Sequence, residues 1–189
     1  MVTAFIVLGM EGVVMYRVGP GSRPTRKLLH VVCNTLALVV GTVGVYFVFE
    51  FHKKNGFPDF YSTHSWMGMA TSVVFVLQYL VGFFFFVAKL GGPVMRAAVL
   101  PAHQYFGLVS HGLAVATVIT GIFEKQTFFS KCIPGASNFE PAKVWANWVA
   151  MSVVFATVVA MGHLKAQQKL PAGPVPVNGS SRSLLGNAH

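Results

Sequence analysis

The sequence predicts an all-α, polytopic transmembrane helix bundle with four full spans and a partial span at its N-terminus. Three observations predict it: 54% of the 189 residues are hydrophobic, only 10% are charged against about a quarter in soluble domains, and the charges sit between long uncharged runs. Those runs are Leu28–Phe49, His64–Ala88, Ala97–Phe123 and Val144–Leu164, each at or above the roughly 18–20 residues that cross a bilayer as a helix. A fifth apolar stretch, Met1–Tyr16, carries one acid, Glu11, and is slightly short for a span, so it reads as a helix missing its start. No Lys or Arg precedes Arg17, and a cleaved signal peptide, which needs a basic head, is not indicated.

The formal net charge of +9 belongs to short loops between apolar runs, where basic residues act as topology signals, and a nucleic-acid partner is excluded on that ground. Arg17, Arg23, Arg26 and Lys27 share a loop without an acid, which predicts a cytoplasmic loop. Alternation then sets Glu50–Thr63 on the opposite side, Lys89 to Arg96 back in the cytoplasm, and Glu124–Lys143 outside again. Two domains follow: a transmembrane unit over 1–169 and a cytoplasmic tail over 170–189. The tail is rich in Gly, Pro, Ser and Asn, which predicts disorder. Cys33 and Cys132 lie far apart in sequence and give neither a metal spacing nor a disulfide framework.

Ionisable side chains are costly inside a membrane, so His30, His64, His103 and His111 each require a partner. His30 follows Lys27 by three residues and His103 follows Arg96 by seven; both open helices running from the cytoplasmic face and share a depth. His64 opens a helix from the opposite face. One histidine alone on an apolar helix reads as a satisfied core residue. Two at equal depth beside basic loops suit a bis-imidazole haem, whose propionates the loops would pair. Zinc is the weaker reading, because these helix starts lack the cysteines and carboxylates it commonly takes. His111 is over two turns deeper than His103 and about 80° round the helix, which suits a hydrogen-bonded core residue. His163 and His189 read as interfacial or solvated. His52, beside Lys53 and Lys54, makes either a small basic substrate surface or an ordinary solvated loop.

Taken in order, Tyr16-Arg17, Lys27-Leu-Leu-His30, Phe51-His52-Lys53-Lys54, Tyr61-Ser-Thr-His64-Ser-Trp66, Pro101-Ala-His103, Phe139-Glu-Pro141 and Ala146-Asn147 resemble the cytochrome b561 family. So do the intervals between the three histidines, 64 − 30 = 34 and 103 − 64 = 39. The resemblance runs from Met1 to about Lys169. It implies a six-helix, ascorbate-dependent transmembrane oxidoreductase with two b-type haems, one near each face. His30 and His103 would hold the cytoplasmic haem. His64 would hold the other with a histidine that lies before the position of Met1, so the chain looks N-terminally truncated and the second haem is left with one protein ligand. The resemblance further implies Arg17 beside the cytoplasmic haem, Arg23, Lys27 and Arg96 as ascorbate-binding cations, His52 and Asn147 facing the far-side substrate, and Tyr61, Ser62 and Glu124 near the second haem. The family often has a second histidine where this chain has Asn34, so ligation falls on His30 alone.

The function so implied is electron transfer from cytoplasmic ascorbate to monodehydroascorbate or a ferric chelate on the other side. It would take place in a multi-pass homodimer of a vesicle, lysosomal or plasma membrane, with its C-terminus in the cytoplasm. Two alternatives stay open: a single-haem remnant that does not conduct across the bilayer, and a small channel or transporter using Glu11 and His111 as a polar relay. The Leu184-Leu185 pair reads as a sorting signal or as chance.

Overall fold

The computed structural model of the chain describes residues 3–132 and 140–168. The tail over 170–189, with its Leu184-Leu185 pair and His189, lies outside the described residues, as do Phe139 and the side chains of Cys132 and His163. A π-helical segment, Thr3–Leu8, runs into α1 (Gly9–Val18). Then come α2 (Arg23–Asn55), α3 (Thr63–Gly82) continuing as a π-helical segment Phe83–Val87, α4 (Pro93–Cys132) and α5 (Pro141–Gln168). All described elements are helical, and four helices are long and apolar enough to cross a membrane: Arg23–Asn55, Thr63–Val87, Pro93–Phe128 and Pro141–Gly162. At 1.5 Å per residue each exceeds the roughly 30 Å hydrocarbon core. The protein is an integral membrane helical bundle.

Local chemistry sets where the helices begin and end. Ser22, in an extended conformation, precedes α2, and Pro24 sits in its first turn, where a missing N–H costs nothing. Gly56 ends α2 at φ 68°, a left-handed conformation that glycine adopts without penalty. Ser62 caps α3 by accepting from the Ser65 N–H at 3.2 Å. Two boundaries differ from the hydropathy reading. α2 carries His52, Lys53 and Lys54 in its last turn rather than in a loop, where their charges and polarity complement the helix dipole. α4 runs on past Phe123 to Cys132, because Glu124, Lys125 and Gln126 end the apolar run without ending helix propensity.

The bundle is joined chiefly by α3 on α4 and α1 on α2. Small residues sit at these contacts, with Gly12 of α1 against Cys33 and Asn34 of α2, and Gly41 of α2 against Phe5 of the preceding segment, as expected where no hydrophobic effect drives helices together and close approach must do it. A buried hydroxyl between α3 and α4 is fully used: Thr71 reaches the Met67 carbonyl at 2.7 Å and the Thr117 hydroxyl at 3.0 Å. Large apolar side chains such as Leu36, Phe47, Leu77, Trp148 and Phe155 point outward, which in a bilayer is the solvated state. Pro101 lies inside α4 and cannot donate to the Ala97 carbonyl, which loosens the ladder at the start of that helix.

Candidate functional site

Two short inter-helix contacts fix histidine tautomers. The Nδ1 of His30 on α2 lies 2.7 Å from the Gly12 carbonyl on α1. A carbonyl only accepts, so Nδ1 carries the proton and Nε2 keeps its lone pair. The Nδ1 of His64 on α3 lies 2.9 Å from the Thr117 carbonyl on α4, with the same consequence. A metal-binding imidazole needs this state, a lone pair on one nitrogen and a hydrogen-bonded proton on the other.

His30 and His103 line one cavity of about 1040 Å³ between α1, α2, α3 and α4. That is the size of a site for a large cofactor. Its deep wall is apolar, built of Phe5, Phe75 and Ala114, while Arg17, Lys27, Lys89 and Arg96 line its basic end. Aromatic rings flank both imidazoles, Tyr16 at 5.6 Å from His30 and Phe86 at 5.2 Å from His103, centroid to centroid. Pro101 lines the cavity where α4 is loosened. A haem fits these residues on two counts: the two imidazoles come from separate helices onto one cavity, and the cationic end suits propionates. A bare metal ion fits less well. Among the described residues no group of three His, Cys, Asp or Glu suits one, and zinc takes three or four such ligands.

The cations are not free-standing. Lys27 donates from Nζ to the Phe86 carbonyl, and Arg96 donates from Nη1 to the Gly91 carbonyl at 2.8 Å, so both brace the corner between α3 and α4. Arg23 opens α2 at the exposed surface, outside the cavity lining. Lys89, held at φ 57°, joins the lining, whereas in the sequence it reads only as a topology signal.

At the opposite end Glu124 accepts from both Tyr61 and Ser62, the latter at 2.8 Å. Partial burial, the hydrogen bond to Glu124 and its negative charge push the Tyr61 hydroxyl up to about 12, so the phenol stays a neutral donor throughout the physiological range. His52 pairs with Asp59 at 3.0 Å and its ring lies 6.4 Å from that of Tyr61. Asn147 accepts from Gln126 at 2.8 Å, one helical turn or less from Glu124. Tyr61, Ser62, His52 and Glu124 thus form one connected group, with Asn147 joined to α4 beside it. The other described histidines are engaged away from His64. His111 is buried against the Thr157 hydroxyl at 3.3 Å, while Glu11 lies on the exposed side of α1, so no relay links them.

Sequence reading missed Gly12, Gly82, Gly121, Gln78 and Thr117, and read Asn34 only as the place of an absent histidine. Asn34 donates to the His30 carbonyl at 2.7 Å and fills the space that a Cβ on Gly12 would need. Gln78 donates to the His103 carbonyl.

Residues 1–129 match the family model described as eukaryotic cytochrome b561. The chain is similar to ascorbate-specific transmembrane electron transporter 2 of Zea mays, at 36% identity over 180 residues, covering 94% of this chain and 75% of the relative. It is similar to the transmembrane ascorbate-dependent reductase CYB561 of Ovis aries at 35% identity, covering 90% of this chain and 68% of the relative. Against the plasma membrane ascorbate-dependent reductase CYBRD1 of Mus musculus identity is 33%, covering 92% of this chain and 61% of the relative.

Replacing Glu124 with Gln removes the charge and weakens the acceptor facing Tyr61. Spectrophotometric titration should then show this tyrosine ionising at lower pH than in the wild type, because the hydrogen bond to a carboxylate and its negative charge both hold the phenol protonated; an unchanged titration would contradict the geometry.

Proposed function

The chain belongs to the eukaryotic cytochrome b561 family, and on that premise we propose that it carries electrons across a membrane from ascorbate to monodehydroascorbate or a ferric chelate. The observation that carries the reading is the convergence of His30 and His103 on one apolar cavity with a cationic end. His30 and His103 would hold a b-type haem, within a transmembrane unit that extends to about residue 169. When bound there, haem supplies a reversible one-electron couple that no side chain of the site offers.

The remaining work is done by the protein. Gly12 holds the Nδ1 proton of His30, which keeps that ring a strong and fixed donor. Phe5, Phe75, Tyr16 and Phe86 keep water from the rings, and the low dielectric they create lets nearby charge bias the site. Arg17, Lys27, Lys89 and Arg96 draw the ascorbate anion to the cytoplasmic end, with Arg23 on the approach. On the other side His52, Tyr61 and Asn147 face the acceptor, and Glu124 orders Tyr61 and Ser62 beside His64. Positive charge concentrated at one end supports the cytoplasmic assignment of that end. The protein works as a homodimer in a vesicle, lysosomal or plasma membrane.

The test is electron transfer across sealed vesicles containing the protein, with ascorbate inside and ferric citrate outside. Ferrous iron should appear outside at a rate that falls to the protein-free background for His30→Ala and for His103→Ala, together with loss of the ascorbate-reducible b-type spectrum; activity surviving in either variant would contradict the reading. Lys27→Met and Arg96→Met should each raise the KM for ascorbate about 10-fold with kcat little changed, since a hydrogen bond to a charged group contributes about 1.5 kcal/mol or more. Equal KM values in wild type and variants would remove these residues from the ascorbate site.

A further inference from the structure

α3 and α4 meet through reciprocal pairs in which a bulky group faces a glycine. A Cβ on Gly121 would lie 2.7 Å from Cε1 of His64, and a Cβ on Gly82 would lie 2.8 Å from Cε1 of His103. Between these outer pairs Gly68 faces the Thr117 side chain at 3.5 Å and Gly107 faces the Gln78 amide at 3.3 Å. A constant offset, 103 − 64 = 39, maps one helix onto the other: His64 on His103, Gly68 on Gly107, Gln78 on Thr117 and Gly82 on Gly121. Each helix therefore reads His-x3-Gly-x9-Gln/Thr-x3-Gly. The last glycine stands at i+18 from the histidine in both (82 − 64 and 121 − 103). At about 3.6 residues per turn this spacing is five whole turns, so histidine and glycine lie on one face. Because the pairs are reciprocal, the two helices are antiparallel and related by a two-fold axis across the bundle.

The His64 end shows what the pattern does. Its Nδ1 proton goes to the Thr117 carbonyl, and Thr117 stands four residues before Gly121. In a helix the side chain at i+4 lies close over the carbonyl of residue i. Glycine at that place uncovers the carbonyl and gives the facing imidazole room to reach it as a second donor. The equivalent carbonyl for His103 is that of Gln78, four residues before Gly82. The buried Nδ1 of His103 has no hydrogen-bond partner, although its ring already presents the same Cε1 edge to Gly82.

We infer that α3 and α4 are two copies of one inverted repeat, in which Gly82 and Gly121 are positioning residues that expose the Gln78 and Thr117 carbonyls to the Nδ1–H groups of His103 and His64. The Gln78 carbonyl is thus the missing partner of His103, taken up when its Nε2 is engaged by the bound group. The Gln78 side chain, bonded to the His103 carbonyl, keeps the two segments in register. The identity of that bound group rests on the function proposed above; the repeat does not.

The first test uses the wild-type holoprotein in lipid nanodiscs, labelled with nitrogen-15 in histidine and carbon-13 at glutamine carbonyls. Solid-state dipolar recoupling should give a distance of about 4 Å between Nδ1 of His103 and the backbone carbonyl carbon of Gln78, as a hydrogen bond requires. Gly82→Ala should then move the His103 Nδ1 resonance and leave that of His64 unchanged, and Gly121→Ala should do the reverse. Gly82→Ala should also weaken haem binding at the His30/His103 site about 10- to 100-fold, as loss of an imidazole's hydrogen-bond partner does elsewhere, while Gly68→Ala, whose added carbon meets only an ordinary contact, should move neither histidine. A long His103–Gln78 distance overturns the inference, as does a Gly82→Ala variant that leaves His103 untouched or disturbs both histidines alike. Absence of any b-type spectrum in the wild type would instead overturn the proposed function, and the selective response of each histidine to its own glycine variant would still decide the repeat.

Discussion

A ring nitrogen that carries a proton inside a bilayer must give it to something, and in a bundle of helices the acceptors within reach are carbonyls already bonded to their own helix. Such a carbonyl takes a second donor where the neighbouring turn lacks a side chain. This constraint governs the described bundle. It explains Gly121 at the His64–Thr117 contact; at the other contact the Gly12 carbonyl accepts from His30, and Gly12 itself lets α1 come against Asn34. It also accounts for the tight pairing of α1 with α2 and of α3 with α4, since the imidazoles reach across those contacts. At His30, with Nδ1 occupied, Nε2 is left with its lone pair in a ring that lines the cavity, so the packing of helix backbones prepares the ligand chemistry.

The ends of the bundle differ in charge and therefore in chemistry. At one, four cations line the cavity and two of them also tie down the turn between α3 and α4, so that binding an anion there and holding the corner closed use the same side chains. At the other, an acid organises hydroxyls: Glu124 collects Tyr61 and Ser62, and His52 is held by Asp59. The first end suits attraction of a small anion, and the second suits oriented polar contacts with limited net charge.

The spans are legible in the sequence because each apolar run outlasts the bilayer, and the shared depth of His30 and His103 is legible from the basic residues preceding each. The helix ends are less so. Hydropathy stops at Phe123, but Glu124, Lys125 and Gln126 are good helix formers and α4 continues; for the same reason His52 lies in the last turn of α2 rather than in a loop. The grouping of Tyr61, Ser62 and Glu124 is visible in the sequence through resemblance alone, since Ser62 and Glu124 stand at opposite ends of two long helices and no local pattern joins them. Gly82, Gly121, Gln78 and Thr117 escape notice because small and polar residues in apolar runs are common in membrane helices, and only the facing register shows which ones meet an imidazole. Their recurrence at a constant offset is present in the sequence, and it is the comparison of the two helices against each other that brings it out.

Everything proposed for electron transfer depends on His30 and His103 acting together as axial ligands of one haem. Low-temperature electron paramagnetic resonance of the oxidised, purified protein, with haem counted per chain, tests this most directly. Ligation by both rings predicts a low-spin ferric signal of the kind given by two imidazoles, with at least one haem per chain and its loss in either single-histidine variant; a high-spin signal from a singly ligated iron, or protein that folds in lipid and takes up no haem, would contradict it.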